Sequence, residues 1–355
     1  MEPDVSSFLL SGAAPLLCTA ALVWLLVSAI LAARPVKGTA EWIHRTVSPS
    51  FFTTADLGIA GWPDYIMAVA AAAAAFIARL AFCVVSVGFR LPETAVILRC
   101  VGIALGTGVA YYVVSQITDS RRNAWFAAVA AFCLLIQSDS QALLTMLCPA
   151  FLALAPVNPV FFPVFGLFAG VAAVTEPGAI WIVVPGLTTA ILVQATGKRP
   201  SAILLWLLGM VVGAGVYVGL SLLSSGSLAW PVLGLSRSVS CSVTAAAAAV
   251  CTIVYLAIRI GADRRFSDVF LLQALVFSLP CLLAGIDVVW IFSACAVGTA
   301  AHAIRSRGSA PHKASLVVFC CILAAVLAVS LAASLIGKES AQFLIRGFLP
   351  VRYLF

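Results

Sequence analysis

Apolar runs too long for the interior of a soluble domain recur along the whole of this chain. The first, Phe8 to Ala33, already matches the ~20 apolar residues that a helix needs to cross a bilayer. Hydrophobic residues fill 63% of the 355 positions and charged residues 9%, too few to clothe a soluble fold of this length. Lipid offers the backbone no hydrogen bonds, so such runs must satisfy their own amides as helices. The expected fold is therefore all-α, a polytopic transmembrane bundle of about 11–12 membrane helices.

Candidate spans fall at 8–33, 64–89, 93–117, 123–137, 140–155, 160–174, 178–194, 201–223, 240–258, 266–285, 287–304 and 314–336. Residues 1–355 thus read as one integral membrane domain. It has a first transmembrane helix (8–33), a polar loop with an interfacial helix (34–63), a helical core (64–194) and further transmembrane helices (195–355). Glu2 and Asp4 stand where a signal peptide would carry its basic region, so the first run is expected to be retained. Gly102-x-x-x-Gly106, Gly209-x-x-x-Gly213 and Gly215-x-x-x-Gly219 read as ridges for close helix packing.

The net charge of +7 is no nucleic-acid signature, because the basic residues sit in short loops between spans. Arg121-Arg122, Lys198-Arg199, Arg259 with Arg264-Arg265, and Arg305, Arg307 and Lys313 fall on one side when the spans from 93 onward alternate. The positive-inside rule makes that side the cytoplasm. Asp139, Glu176 and Asp287 then face the other way. Residues 64–89 allow two arrangements. If they cross, the loop 34–63 is cytoplasmic; if they lie along the outer leaflet, that loop is external and Asp64 joins the outer acids. Arg79 is costly at bilayer depth, so the second arrangement is taken as the expectation. The 11 cysteines lie mostly in apolar runs with no Cys-x-x-Cys pair, and read as small packing residues. With only His44, His302 and His312, no transition-metal site is expected.

One stretch carries more than hydrophobicity. Gly166 to Pro185 is two apolar helical runs joined at Thr175-Glu176-Pro177-Gly178. Before it come Trp62-Pro63-Asp64-Tyr65, a helix opening at Leu98-Arg99 and reaching Tyr111-Tyr112, the turn Asp119-Ser120-Arg121-Arg122, and the polar loop Gln137-Ser138-Asp139-Ser140. In that order these features resemble the GT-C glycosyltransferases, nearest to the protein O-mannosyltransferase and aminoarabinose-transferase type. The resemblance covers about 180 residues from the first helix onward. The chain departs from the pattern twice. Glu41 stands alone where the family has an acidic pair, and Glu176 follows Thr175 where the family has a basic residue.

The resemblance implies a transferase moving a sugar from a polyprenyl-phosphate-linked donor at the non-cytoplasmic face of a multi-pass cell membrane protein, the inner membrane in a bacterium. Its partners would be that lipid-linked sugar and membrane lipid. Such a reaction needs a carboxylate base and positive charge on the departing phosphate, from side chains or a divalent cation. Glu41 and Asp56 are the candidate bases, with salt bridges to Arg45 or Lys37 as their plainer role. Arg34, Lys37, Arg45, Asp64, Arg79, Arg99, Asp139 and Glu176 are the candidate substrate-binding residues. Plainer roles exist for these too. Arg34, Lys37 and Arg45 can anchor to lipid headgroups, and Arg79 and Arg99 can snorkel or pair with Glu93. Asp139 can cap a helix starting at Ser140, and Glu176 suits a helix N-terminus. A transporter or flippase, and a non-catalytic scaffold subunit, are the competing functions.

Overall fold

The computed structural model describes residues 5–32, 62–86, 94–118, 120–136, 161–175, 201–225, 243–262 and 289–335, with isolated helical positions between 183 and 194 and between 272 and 279. Everything regular among them is helical. The helices are α1 (Val5–Ala32), α2 (Trp62–Ser86), α3 (Thr94–Thr118), α4 (Arg121–Leu135), α5 (Phe161–Thr175), α6 (Ala202–Ser225), α7 (Val243–Ala262), α8 (Val289–Arg307) and α9 (Ala310–Leu335). Each begins and ends within about four residues of a span expected from its apolar run. The largest differences are the end of α7, which continues past Arg259 to Ala262, and the start of α9 at Ala310. Pro311 sits in the first turn of α9, where its fixed φ and missing N–H cost nothing. The link from α8 is only Gly308 and Ser309, with the Gly308 amide closing on Ile304 O at 2.8 Å.

Two of these helices are long and apolar enough to cross a membrane by length and composition: 21 residues from Asp64 to Val84 and 22 from Ala202 to Leu223. At 1.5 Å per residue either reaches about 30 Å, the thickness of a hydrocarbon core. The outer face of α6 carries exposed Leu204, Leu207, Leu208, Val211, Leu220 and Leu223.

At the centre stands α8, buried without a break from Val289 to Ala301. A helix apolar on every face can be stable only when neighbours surround it, and α1, α3, α4, α7 and α9 do so. Contacts fix the directions. Gly106 of α3 lies against Ile291 and Gly298 against Val114, so α3 and α8 run parallel. Gly106 also meets Leu135, and Tyr111 stacks edge-on to Trp125, so α4 returns antiparallel. Thr252 pairs with Ser293 and Tyr255 with Thr299, which makes α7 parallel to α8. A buried Ser28–Ser315 hydrogen bond of 2.7 Å brings the last turns of α1 to the first turns of α9.

These directions gather Arg121, Arg122, Arg259, Arg305, Arg307 and Lys313 at one end of the bundle, here called the basic end. Lys198-Arg199 lies outside the described residues. The basic stretches that are described therefore share an end, as alternation of the spans requires.

Residues 62–86 correct one expectation. They do not lie across the bundle but pack antiparallel along α3. Tyr65 stacks on Tyr112 with ring centroids 5.2 Å apart, while Ala68 and Ala72 approach Gly108. The Ala-rich face of α2 and the bare Gly108 let the backbones close together, and that contact outweighs the cost of carrying Arg79 inward. Asp64 consequently lies at the basic end, 3.7 Å from Arg121, and not among outer acids. The end of α1 at Ala32 and the start of α2 at Trp62 both stand at this end as well.

The pair α5–α6 is parallel, and no other described helix packs extensively against either member. Gly166 and Gly170 admit the backbone of Trp206 and Met210, and Gly209 and Gly213 admit that of Pro163 and Leu167. Of the three glycine ridges expected from sequence, Gly209-x-x-x-Gly213 packs in this way. Gly106 packs while Gly102 does not, and Gly215 and Gly219 have open space around them.

Candidate functional site

Two groups of polar side chains stand out against the apolar bundle. The first is at the basic end. Ser120, extended at φ −129° and ψ 105°, accepts a hydrogen bond from the Asn123 amide at 3.4 Å and so caps α4. Asn123 itself is only 3% exposed. Its Nδ2 lies 3.1 Å from His302 Nδ1, and its Oδ1 accepts a hydrogen bond from Arg305 Nη1. The Arg305 guanidinium also stands 5.8 Å from the centre of the Phe126 ring, a cation–π arrangement. Burial, with Arg122 close by, pushes the Arg305 pKa below its ordinary value, though a guanidinium keeps its charge at any working pH.

From this end a line of hydroxyls runs inward between α7 and α8. Arg259 donates to Tyr255 Oη at 3.4 Å, Tyr255 meets Thr299 at 3.4 Å, and Thr252 meets Ser293 at 3.3 Å. Thr252, Ser293 and Thr299 are fully buried. Thr252 and Thr299 also return a hydrogen bond to their own helix, at Ala248 O and Ala296 O. Buried hydroxyls satisfied in this way join helices without needing a ligand.

The second group lies toward the opposite end. Arg79 is 5% exposed, and its Nε has no hydrogen-bond partner. A buried guanidinium N–H left unpaired is costly, and its neighbours along α2, from Ala75 to Cys83, are all apolar. The register set by Tyr65–Tyr112 and Ala68–Gly108 brings position 99 of α3 level with position 79 of α2. The two arginines singled out by sequence therefore share one level, roughly 10 Å from the end of α2 and somewhat less from the start of α3. Tyr111 Oη and Trp206 Nε1 are likewise buried without a partner.

Of the other candidate residues, Arg34, Lys37, Glu41, Arg45, Asp56, Asp139 and Glu176 lie outside the described residues. Asp64 is separated from the arginine level by the length of α2 from Asp64 to Arg79, about 22 Å. Among the described residues no group of His, Cys, Asp and Glu could hold a metal ion. Cys18, Cys83, Cys100, Cys133 and Cys295 are buried, as their place in apolar runs suggests. Sequence reasoning missed Asn123, His302 and Arg305 as a unit, because 179 positions separate the first two. The available signal was Ser120 three residues before a polar Asn at the head of an apolar helix.

No protein-family model, curated protein or solved structure matches this chain.

Proposed function

We propose that the chain is a multi-pass integral membrane protein that binds a phosphate-bearing polyprenyl lipid and transfers its sugar, in the manner of the GT-C glycosyltransferases. The observation that carries this reading is Arg79, buried in an apolar helix with an unpaired Nε and level with Arg99. A lipid phosphate supplies the oxygen acceptor that Arg79 Nε lacks. Support for the membrane reading comes from the two candidate spans, the apolar outer face of α6 and the gathering of basic residues at one end.

Within this reading Glu41 and Asp56 stay candidate bases, and the acids next to the far ends of the helices join them. Ala32 and Trp62, the described residues that bracket Glu41 and Asp56 in sequence, both stand at the basic end. Glu93, Asp139 and Asp287 directly flank the far ends of α3, α4 and α8 in sequence. Asp139, already a candidate for substrate binding, is the one of these to change first. The same bracketing of 33–61 favours a second reading, a transporter or scaffold with no transfer chemistry.

The test is binding of a short-chain polyprenyl phosphate to the purified chain, compared with Arg79→Ala and Arg99→Ala. Loss of a charge-assisted contact worth about 1.5–3 kcal/mol should weaken binding by roughly tenfold or more. Equal binding by all three proteins would sink the lipid-phosphate reading. Binding without sugar transfer, and without any effect of Asp139→Ala, would favour the second.

A further inference from the structure

We propose that Asn123, His302 and Arg305 form a proton-sensitive latch that fastens the start of α4 to the end of α8. Arg305 has donors only, so the Asn123 atom that faces it must be the carbonyl oxygen. Turning the amide over would set its NH2 group against the guanidinium. The orientation of Asn123 is thus fixed by a permanent cation, and its Nδ2 must point at His302 Nδ1. A donor there requires a lone pair on Nδ1. The imidazole in the closed latch is therefore neutral and carries its proton on Nε2.

Protonation removes that lone pair. The imidazolium would set an N–H against the Asn123 NH2 at 3.1 Å, and the amide cannot escape by flipping while Arg305 holds its oxygen. The described charges at this end are mostly positive. Arg121 and Arg122 stand on α4, Arg305 and Arg307 on α8, Arg259 on α7, and His312 and Lys313 on α9, with Cys320 near Arg305. The described acid at this end, Asp64 of α2, is engaged with Arg121, and the described parts of α1 and α3 add no carboxylate. The sign follows. The latch is closed while the His302 imidazole is neutral and opens as falling pH protonates it. Opening frees Asn123, 3% exposed, and the first turn of α4 from the central helix. The inference does not depend on the transferase reading.

The chain contains only three histidines, so it can be tested on the full-length protein in nanodiscs with nitrogen-15 histidine. The His302 resonance is assigned by its loss in His302→Gln. Above neutral pH it should show an unprotonated Nδ1 and a protonated Nε2. As it titrates, amide exchange across Asn123 to Ala127 should rise by roughly fivefold or more, the scale of one lost buried hydrogen bond. His302→Gln should keep the contact through its side-chain oxygen and lose the pH dependence. Asn123→Asp, which accepts from both Arg305 and a protonated His302, should also hold α4 closed in acid. A proton on Nδ1 at high pH would overturn the proposal, as would exchange indifferent to His302 titration. Retention of the acid response in His302→Gln would overturn it too, and this holds even if Asn123→Asp does not fold.

Discussion

The pair α5–α6 and the pair α4–α8 are both close helix contacts, built on opposite principles. In the first, Gly166, Gly170, Gly209 and Gly213 bring two backbones directly together. In the second, Asn123, His302 and Arg305 reach across through hydrogen bonds and charge. Dispersion between bare backbones is insensitive to pH and salt but fails when a methyl is inserted. A hydrogen-bonded contact tolerates volume but depends on protonation and on each partner. One joint is permanent, and the other can respond to its surroundings.

The sharpest break of this comparison is Gly213→Leu in α6. A side chain there meets the backbone of Leu167 with no flexible group to move aside. Overpacking of this kind costs about 1–3 kcal/mol and here should reach the top of that range, seen as a lower unfolding midpoint in detergent. Gly219→Leu is the control, since a Cβ at Gly219 meets nothing within 4 Å. Equal loss in both would mean that α6 uses its second glycine ridge as well.

The other pair should break at Asn123→Leu. That change strands a half-buried Arg305 and removes the acceptor of a charge-assisted bond, for an expected loss of about 1.5–3 kcal/mol. Unlike the glycine variants, it should leave the protein with the same stability at pH 5 and pH 8. A stability difference between those pH values as large as that of the unmodified chain would show that the response lies elsewhere.

The contrast also explains what could be read from the chain. The α6 side of the α5–α6 contact was legible because Gly209 and Gly213 recur four apart within one apolar run, and ridges of that kind are local in sequence. Its partner on α5 was not. The helices themselves were legible from run length, with errors at the links. Pro311, His312 and Lys313 look like a loop, but the first turn of α9 accepts them. The antiparallel course of 62–86 was not legible. Arg79 suggested an interfacial segment, while the deciding contact was the match of Ala68 and Ala72 to Gly108, some 40 positions on. The Asn123 network was hidden for the same reason, its partners being 179 and 182 positions apart. Of the candidate site, the sequence signalled Arg79 and Arg99 as charges in apolar helices, but not that they share a level.

Smaller effects sharpen the polar half of the comparison. Thr252→Val with Ser293→Ala removes a fully buried hydroxyl pair from the α7–α8 seam. Interhelical hydrogen bonds of this kind average about 0.6 kcal/mol, so the double variant should lose little and stay pH-independent. A loss as large as that of Asn123→Leu would show the seam to be part of the same cooperative network.

The smallest effect belongs to Asp64→Asn. Its partner Arg121 is 64% exposed and Asp64 27%, at 3.7 Å. Such a pair contributes about 0–1 kcal/mol and is screened by salt. The expected loss is about 0.5 kcal/mol at low ionic strength, vanishing near 0.5 M salt. Its value lies in what it does to the neighbouring latch. Removing the one described carboxylate at this end leaves Arg121 and Arg122 uncompensated, which raises the cost of a further proton on His302. Acid opening should therefore move to lower pH in Asp64→Asn at low salt and return to its original position when salt is added. An opening midpoint unmoved by both changes would mean that the charges around His302 do not reach it, leaving the donor–donor clash with Asn123 as the whole of the mechanism.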